Sequence, residues 1–328
     1  MQVKVFMQSA GNFVESDLLH AMGEGIEQVF AEINSVDDAQ AVSVDRKRGA
    51  SSAYTVNYVW DEAYTPCDLA VIYGSWKPRE KAHHIIRTSV ATTALRFLVI
   101  ETALLDRRTD RENVYWRVGV NGYLGRDARW PVLPEDAAES RLAQFGIDEW
   151  SDWKNKDNGH ILLGLQIPGD ASLRGTDIYA WAQHTITEIR KVTDRKILIR
   201  PHPLTSDKGL EDLYRFAGRI TFDGVKNISY STGNTLQQDL KGAYCTVVFS
   251  SGMSIDSVVS GVPVVCGDSS NFAWPVCTRN LNLIEDLVLP DAKKISAWLR
   301  HLAACQWSKK EMSSGECFTA LAPIIESI

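Results

Sequence analysis

The chain lacks most of the markers by which a sequence announces its chemistry. Its six cysteines form no C-x-x-C pair, so neither a zinc knuckle nor a dithiol redox motif is expected. No stretch approaches the roughly 18 uninterrupted apolar residues of a membrane span. The opening MQVKVFMQSAGNF has no basic segment followed by a long apolar one, so the cytoplasm is the expected location. The first half contains no G-x-G-x-x-G and the whole chain no G-x-x-x-x-G-K-[ST], which removes the best markers of dinucleotide oxidoreduction and of P-loop hydrolysis. No Asp-x-Asp pair falls at a strand end and His83 and His84 have no ligand-like spacing, so no metal is expected. Excess charge is small: a net of -6 repels a bulk polyanion, although a local basic patch can outweigh it.

What is present is a soluble globular composition, 45% hydrophobic and 23% charged, over 328 residues. That length is about twice the rough 150 residues of one domain, so two are expected. VKVFMQ, CDLAVIYG and the end of TTALRFLVIE read as strands, and the stretch after VKVFMQ repeats apolar residues at helical spacing. VYWRVGVNGYLG is left unassigned. The pattern loosens between about Arg126 and Asn158, then restarts with HILLGLQIPGD, KILIR, VKNISY, CTVVFS and VPVVCG, with helices between them. Strands alternating with helices predict α/β architecture with parallel sheets covered on both faces, hence two Rossmann-like domains. The expected division is 1-156, 157-291, and a C-terminal helical segment 292-328 packing near the domain junction.

Two stretches of the second half carry chemistry. In ILIRPHP an apolar strand runs into Arg200 and His202, and in SSGMSIDSVVSGVPVV small polar residues precede a helix. Ligands of open parallel sheets sit outside the carboxyl ends of the strands, where both stretches fall. Ser250, Ser251, Gly252 and Ser254 let an anion approach free backbone N-H groups, and His202 and Arg200 add donors. Asp256, beyond the serines, suits a sugar hydroxyl better than a phosphate. The plain alternatives are that Pro201 and Pro203 end the strand, His202 is a turn residue, Arg200 pairs with a protein acid, the serines cap the helix, and Asp256 caps or faces solvent. Gly261, after the helix and before a Pro-containing strand, reads as a left-handed C-cap.

These stretches resemble the second domain of two-domain nucleotide-sugar glycosyltransferases of the GT-B type, in which an active-site cleft lies between two facing Rossmann-like domains. RPHP and SSGMSIDSVVSGVPVV are similar to the His-Pro element and the Ser-rich, acid-containing helix of capsule-type and sialic-acid-type transferases; the likeness covers about Ile197 to Gly267. It implies that His202, Ser250 and Ser251 contact the phosphates of a nucleotide-sugar donor and that Asp256 positions it. Asp256-Ser257 stands where many relatives have Glu-Ala. The implied donor is a UDP-sugar ahead of a CMP-sugar, with no further cofactor. CDLAVIYGSWKP, WRVGVNGYLG and LAACQWSKKEMSSGE are similar to bacteriophage-type transferases, some of which glycosylate hydroxymethylated pyrimidines in DNA. That likeness implies double-stranded modified DNA, such as DNA containing 5-hydroxymethylcytosine, as an acceptor, and host cytoplasm as the location. A cell-surface glycan is the competing acceptor; an epimerase or a non-catalytic nucleotide-sugar-binding protein are the competing functions.

An inverting transferase needs a base on the acceptor hydroxyl. The first half offers Glu15 and Asp17 after the first strand and Glu101 at the end of FLVIE; the first two equally suit a helix N-terminus, and the third an ion pair with an arginine. Trp76, Lys77, Arg79 and Lys81, just beyond a strand, form a candidate acceptor-binding loop or a solvated basic turn. Residues 46-48, RKR, offer a second basic cluster with the same two readings.

Overall fold

The computed structural model describes residues 1-7, 13-41, 55-60, 63-75, 82-107, 114-147, 152-153, 157-205, 207-222, 224 and 226-328. The chain forms two compact units. One comprises Met1–Tyr123, Asp127–Phe145 and Arg300–Ile328, the other Leu124–Arg126 and Gly146–Leu299.

The first unit begins with strand β1 (Gln2–Met7), helix α1 (Phe13–Ala41), edge strand β2 (Thr55–Trp60) and β3 (Leu69–Tyr73). Helix α2 (Ala82–Thr93), β4 (Phe97–Thr102), β5 (Tyr115–Val120) and α3 (Glu135–Ala143) follow. Strands β2, β1, β3 and β4 are mutually parallel, and β5 runs antiparallel to β4. The unassigned WRVGV segment is thus a strand, and the sheet is mixed where a wholly parallel one is expected. Leu18, Met22, Ile26 and Phe30 recur every fourth residue of α1, so they share one face and are buried against Val3, Val5 and Met7.

The second unit contains β6 (His160–Gly164), α4 (Ile178–Arg190), β7 (Ile197–Arg200), α5 (Asp207–Phe222), β8 (Ile228–Tyr230), α6 (Leu236–Lys241), β9 (Ala243–Val248), α7 (Met253–Val259) and β10 (Val264–Cys266). All five strands are parallel, in the order β10-β9-β6-β7-β8. Both faces of such a sheet are covered, so its strands are continuous apolar runs: every residue of β9 is buried. Asp177 caps α4 by accepting the N-H groups of Tyr179 and Ala180, and a Thr235/Gln238 capping box starts α6. The core joins Ile161, Leu163, Ile197, Ile199 and Val247 of the sheet to Ala182, Ile186 and Ile189 of α4 and Phe216 of α5.

Helix α8 (Ala292–Ala304) leads the chain back to the first unit, where β11 (Gln306–Ser308) pairs antiparallel with β5 and completes the order β11-β5-β4-β3-β1-β2. Helices α9 (Lys309–Ser313) and α10 (Glu316–Glu326) then pack on α1, burying Met312, Phe318 and Leu321. Gly25 permits this docking: a β-carbon there would lie 1.8 Å from the Met312 carbonyl oxygen. The C-terminal segment, read as helical, also supplies a strand.

Candidate functional site

Strand order reverses once in each sheet. In the first sheet the chain leaves β1 for β2 on one side and later crosses to β3 on the other, so the order reverses between β1 and β3. In the second, β6, β7 and β8 are laid down on one side and β9 and β10 on the other, so it reverses between β6 and β9. Loops diverge at such a point and leave a crevice outside the carboxyl ends of the strands.

At the second unit's edge, β7 ends in Arg200. Its Nη1 donates to Ser231 Oγ (3.2 Å), to the Asn234 carbonyl (3.0 Å) and to the carboxylate of Asp239, which is 1% exposed. Asp239 also accepts from Ser231 Oγ and from Asn234 Nδ2 (2.9 Å). Burial pushes its carboxyl upward, but the hydrogen bonds from Ser231, Asn234 and Arg200 together outweigh that and hold it below the usual carboxylate range. Nη1 is the bonded nitrogen of Arg200 among the described residues, so Asp239 fixes the guanidinium by one corner and leaves the Nε and Nη2 hydrogens to be presented. His202 lies two residues on. Its Nδ1 accepts the Leu204 N-H (3.1 Å), so the neutral ring carries its proton on Nε2.

The serine stretch does something different from its neighbour. Ser250 is buried: its N-H donates to Gln166 Oε1 (3.0 Å), its hydroxyl donates to the Ser172 carbonyl (2.9 Å) and accepts from Gln166 Nε2 (3.1 Å). This clasp ties the loop after β6 to the turn after β9, across the point of reversal. Ser254 is fully buried, with its hydroxyl 2.9 Å from the Ser251 carbonyl and 2.7 Å from Asn271 Oδ1. Ser251 Oγ accepts the Met253 N-H (3.3 Å), Gly252 caps α7 in a right-handed conformation, and Asp256 is half-buried in the first turn. A separate hollow of 910 Å³ opens beside the loop after β6, lined by Pro168, Gly169, Asp177, Tyr179 and Arg215 among others.

At the first unit's edge, Glu15, Tyr73, Arg87, Glu101 and Arg117 form an electrostatically coupled group around the ends of β3 and β4. Glu101 accepts the N-H groups of Ser75 (3.2 Å) and Thr102 (2.9 Å) and lies 4.0 Å from Arg117. Arg87 is only 7% exposed yet poorly bonded: Nη1 reaches the Ser75 carbonyl at 3.4 Å, Nη2 is 3.6 Å from Glu15, and Nε has no partner among the described residues. Gly74, in the left-handed region at φ +78°, gives it room, since a β-carbon there would sit 2.8 Å from Nη1. Burial lowers the Arg87 pKa against the pull of Glu15 and Glu101. Burial also raises that of Glu15, outweighing Arg87. The Tyr73 phenol is pushed up to about 12 by burial and then by the two glutamates.

The structure thus brings Glu15 and Glu101 together, whereas Asp17, two residues from Glu15, turns to an ion pair with Lys309 of α9 at 2.5 Å. Trp76, Lys77, Arg79 and Lys81, and the 46-48 cluster, lie outside the described residues. Gln166, Asp239, Arg87, Tyr73 and Arg117 were not anticipated. Gln166 had a signal, a lone amide within LLGLQIPG at a strand end. Asp239 had none, because its partner Arg200 is 39 positions away. Among the described residues no group of three or more His, Cys, Asp or Glu side chains is arranged to hold a metal ion, and no helix is long and apolar enough to cross a membrane.

Two sheets with these strand orders, each flanked by helices, define two Rossmann-like domains, the domain composition of GT-B proteins. No protein-family model matches the sequence, and no curated protein matches it. Among solved structures, the chain is similar to the beta Kdo 2,4 transferase KpsC of Thermosulfurimonas dismutans at 13% identity, over 75% of this chain and 91% of that one, with a TM-score of 0.39. It is similar to the UDP-GlcNAc 2-epimerase of Methanocaldococcus jannaschii, solved with UDP-GlcNAc and UDP, at 11% identity over 100% of both chains, with a TM-score of 0.34. The Anabaena protein HepE, solved with UDP and glucose, gives 9% identity over 100% of this chain and 99% of that one, with a TM-score of 0.36. These superpositions are loose, and the fold assignment rests on strand order.

Proposed function

We propose that the protein is a glycosyltransferase that moves a sugar from a nucleotide-sugar donor to a hydroxyl of a glycan acceptor. The observation that carries this is Arg200, held by one corner on a buried, ionised Asp239 at the carboxyl end of β7, with the Nε2-H of His202 two residues away. Donors fixed in advance suit the growing negative charge of a departing nucleotide phosphate, because they need no reorganisation as the glycosidic bond breaks. Ser251 and Gly252 line the adjoining turn, Asp256 is assigned to a donor hydroxyl, and the buried Ser250 and Ser254 keep that turn in shape. A UDP-sugar is the assigned donor.

Glu15 is assigned as the base on the acceptor hydroxyl. Its raised pKa brings it closer to neutrality, where a base is most effective, and Arg87 stabilises its charged form. Glu101, occupied by two backbone N-H groups, and Asp17, occupied by Lys309, are assigned to structure. A glycan acceptor is preferred to DNA because the chain carries a net charge of -6, which repels a bulk polyanion.

The test is incubation of the purified protein with UDP- and CMP-sugars together with oligosaccharide acceptors or with DNA containing 5-hydroxymethylcytosine, followed by mass measurement. Oligosaccharide heavier by one sugar, lost in His202→Ala, supports the reading. Sugar on the DNA alone would replace the acceptor, conversion of the donor without any acceptor would make the protein an epimerase, and tight donor binding without turnover would make it a binding protein.

A further inference from the structure

Helix α4 buries one stripe of side chains and turns a second toward a cavity. Ile178, Ala182, Ile186 and Ile189 belong to the core of the second unit, whereas Trp181, His184, Thr185 and Glu188, at the same helical spacing, line a cavity of 330 Å³. Val247 of β9, Val265 of β10 and the segment from Trp274 to Asn282 contribute to the rest of its lining. Small-molecule sites span roughly 300–1,000 Å³, so this one has room for a ring or two and not for a chain.

Several polar groups of this lining are left unbonded. Thr185 is 2% exposed, yet its hydroxyl makes no hydrogen bond among the described residues. A buried hydroxyl without a partner costs stability, and this one belongs to the cavity wall. Trp181 is fixed edge-to-face against Phe249, with centroids 5.7 Å apart, and Gly267 gives it room, since a β-carbon there would lie 2.9 Å from Nε1. Its Nε1-H likewise bonds nothing among the described residues. In the segment after β10, Arg279 stacks on the Trp274 ring (4.7 Å) and donates to the Trp274 carbonyl (3.3 Å). Asn280 accepts the Asn282 N-H through Oδ1 (3.0 Å), which leaves its NH2 group and the Asn282 amide side chain without protein partners among the described residues.

We propose that this cavity binds one residue of a carbohydrate. Hydroxyl, amide and indole N-H groups together call for a ligand whose own groups both donate and accept, which describes a ring bearing several hydroxyls. The apolar C-H face of such a ring suits the indoles and the two valines, since ligand sites combine apolar and aromatic walls with a few placed polar groups. The charged side chains are engaged elsewhere, Glu188 with Lys191 (2.6 Å) and Arg279 on Trp274, which favours a neutral sugar over an ion. The site is separate from Arg200 and His202: β10 stands three places from β7 in the sheet, about 14 Å at ~4.8 Å per strand. Sugar binding here does not depend on whether those residues hold a nucleotide.

The experiment titrates the full-length protein with glucose, galactose, N-acetylglucosamine, cellobiose, lactose and chitobiose, read by saturation-transfer NMR with and without saturating UDP. UDP binding in the same samples reports on the donor site separately. The expected result is saturable binding of at least one sugar that UDP does not displace and that His202→Ala leaves unchanged. Thr185→Val and the exposed Asn282→Ala should each weaken it about threefold or more, the loss of one hydrogen bond. Thr185→Val, which removes an unbonded hydroxyl at nearly constant shape, should melt no lower than the wild-type protein. Absence of binding by every sugar tested, or binding that survives both substitutions, overturns the proposal. So does binding displaced by UDP and lost in His202→Ala, which would put the sugar in the donor site.

Discussion

The two sheet edges treat their buried charges in opposite ways. At the second unit's edge, Asp239 is buried and receives hydrogen bonds from Ser231, Asn234 and Arg200, and Gln166, Ser172 and Ser250 close a ring of mutual bonds. At the first unit's edge, Arg87 is buried and among the described residues has one long hydrogen bond, an Nε without a partner and a loose contact to Glu15. A fully bonded network keeps its groups in one arrangement, the requirement for binding a fixed ligand. A poorly bonded charge costs stability, and its neighbour is left with a shifted pKa, the requirement for moving a proton.

The contrast is sharpest in its largest expected effect. Asp239→Ala removes the acid from a buried pair and should destabilise the protein by about 3–5 kcal/mol, read from urea denaturation. Loss of under about 1 kcal/mol would mean that the second edge is no better bonded than the first. Glu15→Gln should lower kcat by about 10²-fold or more with less than about 1 kcal/mol change in stability, since its ion pair with Arg87 is long, at 3.6 Å, and the amide keeps the side chain's size. Unchanged turnover would move the base elsewhere. Ser250→Ala should cost about 1–3 kcal/mol by leaving Gln166 and the Ser172 carbonyl short of partners.

The smallest effects lie in pH dependence, where the two acids have opposite signs. Asp239 has a depressed folded-state pKa, so its contribution to stability is present above its unfolded value near 3.8 and disappears as pH falls through the lower folded value. Asp239→Asn should flatten that acid limb. Glu15 has a raised folded-state pKa, so its contribution is present below about 4.5 and declines as pH rises toward the folded value. In kcat/KM the same group should give a limb rising through a pKa above 4.5 that Glu15→Gln abolishes. A limb unmoved by the substitution would assign it to another group.

The parallel strands of the second unit were legible because a strand buried on both faces is an unbroken apolar run, as in ILIR and CTVV. Strand β11 was not: QWS is three residues after a helical pattern, and its partner Arg117–Tyr115 is remote in the chain, so pairing leaves no local trace. The expected ligand positions were legible as strand ends, since small polar residues after an apolar run are a local signal. Their bonding was not. Whether Ser250 faces a ligand or Gln166, and whether Arg200 meets a phosphate or Asp239, depends on which distant residues the topology brings alongside.

The most direct test of the central claim is calorimetric titration of UDP into the folded protein and into His202→Ala. The account predicts saturable 1:1 binding that weakens about tenfold in the variant, the loss of one hydrogen bond to a charged ligand being worth about 1.5 kcal/mol or more. Absence of binding by the folded wild-type protein to UDP and to CMP, or binding that His202→Ala leaves unchanged, would contradict it.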